Sequence, residues 1–246
     1  MKNLNDFPFV IWINLQRNPD RSSYMSKLLN THNIQSHRLE AIDGNHLDHY
    51  NFITSNTSIT PHENACTASH ILALFHFITK TKLDKVVIFE DDTSFEFLPY
   101  IKQYHDWTHF ESSLPVDYDL IQLCITTALG KVAKTQLTKT NKSTGYYSSG
   151  AYLITRTAAC KLLQLVMPDV NLDDDDTTVA NTNHEANPII NMSQLQHARA
   201  DHFLFYLDLT YSIPMFSYQL FTSNINAHML STHHFSKLSQ LTAWKH

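Results

Sequence analysis

Residues 85–97 read KVVIFEDDTSFEF, so four apolar residues, Val86 to Phe89, run directly into three carboxylates, Glu90, Asp91 and Asp92. Like charges crowd one another, and a carboxylate taken out of water is costly unless something positive meets it. Glu90 and Asp92 are one residue apart, which in extended backbone sends both side chains to the same side. Two oxygen donors aimed together suit a hard divalent cation such as Mn2+ or Mg2+, itself shared with phosphate oxygens. A solvated strand end carrying helix-capping acids is the other reading of an isolated EDD.

Other residue types narrow the chemistry. Arg17 and Arg21 follow the first apolar run, and arginine offers a planar fork for phosphate. Ion pairing within its own helix is the alternative for Arg21. His62 and Glu63 invite comparison with H-E-x-x-H, but the fifth position is Cys66, so a zinc-protease reading fails. His70 reads as packing or hydrogen-bonding near the site. Cys66, Cys124 and Cys160 form no CxxC pair, and each reads as a reduced core thiol. Asp173 to Asp176 lack the glycine and alternate spacing of a calcium loop and read as a solvated acidic loop.

Composition excludes several classes. The four glycines, Gly44, Gly130, Gly145 and Gly150, make neither G-x-G-x-x-G nor a P-loop. A formal net charge of −5 argues against a general nucleic-acid binder. It also argues against strong whole-chain attraction to anionic lipid, although Lys131, Lys134, Lys139 and Lys142 form a sparse basic segment. That segment reads as a wet loop or as a contact for a phosphorylated glycolipid. The N-terminus lacks a signal-peptide cleavage pattern, and no stretch is long enough to span a bilayer, so a cytoplasmic protein is the expectation.

The elements that must position these residues can be read from periodicity. FVIWINL (9–15) predicts a strand apolar on both faces, as a central parallel strand would be. A helix follows over 18–29, with Asn18 as cap and Pro19 at its first turn. HRLEAI (37–42) predicts a second strand. The chain over 60–80 predicts the best helix, with Thr60, Pro61 and Glu63 making a capping-box signature. Strands are expected at 86–89, 119–125 and 150–154, with a helix opening at Thr155. Strands and helices alternating at these lengths mean a mostly parallel sheet with helices on both sides. One domain, 1–246, is expected, with residues 168–199 as a polar surface insertion. In such sheets ligands gather beyond the carboxyl ends of the strands, which is where the acid triplet lies.

Seven blocks, in order, carry a resemblance: INLQRNPDR (13–21), AIDG (41–44), PHENACTASH (61–70), VVIFEDD (86–92), DYDLIQL (117–123), GYYSSGAYLITRTAACKLL (145–163) and ADHFL (200–204). Together they resemble glycosyltransferase family 25, the lipooligosaccharide-type transferases related to the collagen galactosyltransferases. The resemblance implies a GT-A-like α/β fold with a Rossmann-type sheet, and hexose transfer, galactose or glucose, from a UDP-sugar to a glycolipid or oligosaccharide acceptor. It implies Asp92 as the main metal ligand, Glu90 near the ribose or metal, and Asp91 orienting either. Asn14 and Leu15 would meet the uracil. Asp201 would be the general base, or a helix cap. A histidine of the tail, His228, His233 or His234, would add a metal ligand, with His228 the choice here. The site would face a glycan precursor at the cytoplasmic membrane surface. Two rivals remain at this stage: a non-catalytic nucleotide-sugar or glycan-binding protein of the same fold, and a metal-dependent phosphohydrolase or nucleotidyltransferase.

Overall fold

The first apolar run becomes β1 (Val10–Asn14), buried at every position. It is the inner member of a parallel trio, with β2 (Ser36–Glu40) on one side and β4 (Lys85–Glu90) on the other. The computed structural model describes residue 1, residues 3–127, 134–170 and 188–219, and positions 221, 237, 241 and 242. Beyond β4 the sheet continues through β10 (Ala151–Thr155), β6 (Leu120–Cys124), β12 (Thr210–Tyr218) and β5 (Thr93–Ser94). A short β8 (Thr138–Lys139) joins at β12. β10 runs antiparallel to both neighbours, while β6 and β12 are parallel to each other. The pairing of β12 with β6 shifts register between Ser212 and Phe216, around Pro214, which has no N–H to give a ladder. Two-stranded pairs lie off this sheet: β3 (Ile53–Thr54) with β11 (Ile190–Asn191), and β7 (Thr126–Thr127) with β9 (Tyr146–Tyr147).

Side-chain alternation divides the core into two halves. Ile11, Ile13, Val86 and Ile88 face α2 (Pro61–Lys80) and α4 (Arg156–Gln164). Val10, Trp12, Val87 and Phe89 face α1 (Pro19–Thr31) and α3 (Trp107–Ser112). Each large side chain taken fully out of water stabilises the fold by roughly 1.5–3 kcal/mol, which is why these strands carry almost no polar residue. The result is an α/β architecture, a mostly parallel sheet covered by helices on both faces.

α2 begins as its sequence requires. The Thr60 hydroxyl accepts from the Glu63 N–H, and the Glu63 carboxylate accepts from the Thr60 N–H at 2.8 Å. Its far end is held by Arg156, whose guanidinium donates to the Ile78, Thr81 and Leu83 carbonyls. α1 has Asn18 at the capping position, but without the side-chain cap bond expected of it. A fifth helix, α5 (Ala200–Phe203), is a single turn before a 3-10 turn at Leu204–Tyr206.

Three expectations are corrected. The second strand stops at Glu40: the Ala41 N–H still bonds the Asn14 carbonyl, but β1 itself ends at Asn14, so the ladder has no strand to continue on. The stretch 168–199 is not wholly a surface insertion. Ile190 and Met192 are fully buried, Leu195 and Ala198 nearly so, and the Asn56 amide donates to the Met192 and Leu195 carbonyls. Residues 171–187, with Asp173 to Asp176, lie outside the described residues. Finally, Cys66 is exposed rather than a core thiol, whereas Cys124 is buried and Cys160 half-buried. Lys134 and Lys139 are exposed; Lys131 lies outside the described residues.

Candidate active site

β1 and β4 are adjacent and parallel, so their carboxyl ends, Asn14 and Glu90, emerge side by side. From β1 the chain leaves through α1 toward one face of the sheet; the connection into β4 comes through α2 on the other. A crevice must open where two such connections diverge. It is an open cleft of about 250 Å³, whose walls include Leu15, Arg17, Arg21, Cys66, His70 and Glu90. Gly44 forms part of the rim, and a Cβ there would stand 2.7 Å from the His62 Cα, so only glycine lets α2 approach this closely.

The acid triplet divides its work. Asp91 is buried, and its oxygens are taken by Arg21 at 2.7 Å and by the Asn14 amide at 2.7 Å. Asn14 in turn accepts from Arg38 at 2.9 Å, so its orientation is fixed from both ends. Asp92 is equally buried, but Arg21 reaches its Oδ2 only at 3.6 Å and its Oδ1 has no hydrogen-bond partner. Glu90 is a third exposed; its Oε1 accepts from the Ser149 hydroxyl at 2.7 Å and lies 3.4 Å from the His70 Nε2. His70 is buried, with its Nδ1 3.1 Å from the Tyr152 hydroxyl. The backbone of this wall is held by Thr93, whose hydroxyl donates to the Glu90 and Gly150 carbonyls.

One cation facing three acids leaves an electrostatic deficit. Burial, then the charges of Glu90 and Asp91, push the Asp92 carboxyl up to about 8. Burial also raises Asp91, although Arg21 and Asn14 oppose the change. Burial alone would lower Arg21, yet Asp91 and Asp92 hold its guanidinium above its ordinary value. The arrangement therefore attracts further positive charge at Asp92, and the adjoining walls offer Arg17 and Arg21 to an anion.

The structure brings Leu15, Arg17, Arg21, Glu90 and Asp91 to one cleft. Asn14 sits beneath it as support for Asp91, and its backbone carbonyl is occupied by Ala41. Arg17 is bound by both oxygens of Asp43, at 2.9 and 2.8 Å, and remains half exposed. Arg21 pairs with the acid triplet rather than within its own helix. Asp201 opens α5, where its Oδ1 accepts from the next N–H, of His202. It lies near enough to Cys66 for its charge to act on that thiol. His228, His233 and His234 lie outside the described residues.

Sequence reasoning passed over Ser149 and Tyr152, the groups that orient Glu90 and His70. Nothing in a serine or a strand tyrosine announces that role; only the sheet pairing of β10 with β4 brings them there. Cys66 is one helical turn before His70, a spacing that puts both on one face and was visible.

The family described as "Glycosyltransferase family 25 (LPS biosynthesis protein)" matches residues 7–178, well over half of the chain. No curated protein matches. Among solved structures the chain is similar to "Crystal Structure of A197 from STIV", with 10% identity and a TM-score of 0.38, over 90% of this chain and 100% of that one. At that score neither fold detail nor function transfers.

Proposed function

The chain belongs to glycosyltransferase family 25, and on that premise we propose that it transfers a hexose, galactose or glucose, from a UDP-sugar to a lipopolysaccharide-type or other surface-glycan acceptor. The observation that carries this reading is Asp92: a buried carboxylate with an unpartnered oxygen, beside Glu90, at the carboxyl end of a central strand. Such a carboxylate, raised by its acidic neighbours, fits a divalent cation, and Asp92 with Glu90 would hold Mn2+ or Mg2+. When bound, such an ion supplies stabilisation of the charge developing on the departing nucleotide.

The chain's own residues do the rest. Asn14 and Arg21 fix Asp91, which keeps the turn after β4 in place. Arg21 and Arg17, on the cleft wall, face the diphosphate, and Leu15 lies beside the base. Asp201 takes the proton of the acceptor hydroxyl, which is a poor nucleophile without a base. Among the described residues no helix is long and apolar enough to cross a membrane; a lipid-linked acceptor would be met at the surface.

UDP release from UDP-galactose and UDP-glucose, measured with Mn2+ and an oligosaccharide acceptor panel, tests the reading. Turnover should be present in the parent protein and lost in Asp92→Ala. A folded Asp92→Ala variant with full turnover would overturn the role of Asp92. Phosphate release in place of UDP would overturn transfer itself.

A further inference from the structure

The cleft holds a second constellation, which shares only Glu90 with the acid pair. Cys66 and His70 are four residues apart on α2, so they stand one turn apart on the same face. With Glu90 at the end of β4 they place a thiol, an imidazole and a carboxylate within 4.8 Å of one another. The His70 Nε2 and the Glu90 Oε1 are 3.4 Å apart without making a hydrogen bond. That separation is what two ligands of one tetrahedral zinc ion show, about 3.3 Å for bonds of roughly 2.0–2.1 Å.

We propose that Cys66, His70 and Glu90 form a binding site for a borderline divalent metal of the zinc type, distinct in ligand chemistry from the all-oxygen acid pair.

Three observations bear on it independently. First, the His70 side chain is only 1% exposed, yet its Nε2 has no hydrogen-bond partner and points at the cluster. A buried ring nitrogen left so costs free energy unless something meets it. Second, both flanking ligands are already oriented from behind. The Tyr152 hydroxyl oxygen stands 3.1 Å from the His70 Nδ1 and can accept a hydrogen bond from its N–H, leaving the Nε2 lone pair directed outward. Ser149 holds the Glu90 Oε1 at 2.7 Å, and a carboxylate oxygen accepts more than one partner. Third, Cys66 is exposed and lines the cleft, so a metal can reach it from solvent. A thiol at that place would ligate as its thiolate, the metal displacing the proton. Three protein ligands with one side open to a cleft is the pattern of a zinc site that keeps a position for solvent or substrate. A thiolate and an imidazole favour zinc or cobalt over manganese or magnesium.

This inference stands on α2 and Glu90 and does not need the sugar-donor reading. Zn2+ affinity is measured by competition with a chromophoric chelator, and Co2+ is used as the spectroscopic probe. The parent chain should bind one Zn2+ tightly, and its Co2+ form should show thiolate-to-cobalt charge-transfer absorption. Cys66→Ser, nearly isosteric at an exposed position, should abolish that band and weaken Zn2+ by at least ~10-fold, the lower bound for disturbing even outer-shell partners. His70→Gln should weaken binding likewise. Asp92→Asn, which touches only the acid pair, should leave the band intact, so loss of donor binding and loss of this site separate cleanly. A Co2+ spectrum without the thiolate band, or Cys66→Ser binding Zn2+ as tightly as the parent, would overturn the proposal; Zn2+ held only by surface histidines would give both.

Discussion

Asp92 shows how a single carboxylate can be arranged against its own stability. Its pKa, pushed to about 8 by burial and by Glu90 and Asp91, lies above its value in the unfolded chain. The folded state therefore holds a proton that the unfolded state has released between about pH 4 and pH 8, and stability falls as pH rises through that window. A tenfold change in proton affinity is worth about 1.4 kcal/mol, so the strain reaches a few kcal/mol by pH 8. Arg21 offsets part of it, at 3.6 Å from Asp92 and 2.7 Å from Asp91. Two outcomes follow for the metal-free protein. Asp92→Asn should melt higher than the parent at pH 8, and the difference should shrink toward pH 4, where the parent's carboxyl is protonated in both states. Thermal melts at several pH values check this; a variant less stable than the parent at pH 8 would mean that Asp92 is well compensated within the protein.

At the scale of elements, the start of α2 decides the shape of the cleft. Its capping box fixes the first turn, and Gly44 lets that turn sit against the loop after β2. A Gly44→Ala methyl would come within 2.7 Å of the His62 backbone, a contact neither side can relieve by a rotamer change. Overpacking of this kind costs typically about 1–3 kcal/mol. Denaturant unfolding should show that loss, together with weaker donor binding, since Ala65, Cys66 and Ser69 on the same turns line the cleft; unchanged stability would show that the loop yields. α2 was fully legible in the sequence because its cap, its proline and its apolar spacing are local signals. β1 and β4 were legible for the same reason, and the acid triplet with them. The antiparallel insertion of β10 between β4 and β6 was not, since strand order is set by contacts far apart in sequence. With it went Ser149 and Tyr152, and also the burial of Ile190 and Met192, whose short strand pairs with β3 from a distant part of the chain. The pairing of Arg21 with Asp91 across 70 positions was similarly out of reach, although both residues were singled out.

Among the described residues the main sheet carries a large core on each face, and the cleft lies where the connections to those two cores part. That placement means a ligand there touches β1, α1, α2 and β4 together, the elements that join both halves of the fold. Its binding free energy is therefore added to global stability rather than to one loop. A donor that binds only the native state at 100 times its Kd stabilises by about 2.7 kcal/mol. For a chain of this length each kcal/mol moves the melting temperature by roughly 2–4 °C, so a rise of about 5–10 °C is expected. The same charge argument sets the order of addition. The Glu90 carboxylate in the cleft wall opposes a diphosphate, and Asp92 gives up its proton for an arriving cation rather than for a nucleotide, so a UDP-sugar alone should shift the melt little, Mn2+ alone somewhat, and the pair by more than the sum. Synergy of that sign ties the acid triplet to the nucleotide as one unit. Additive shifts would place the two ligands apart, and a UDP-sugar effect independent of Mn2+ would leave Arg17 and Arg21, rather than the carboxylates, as the groups that recognise it.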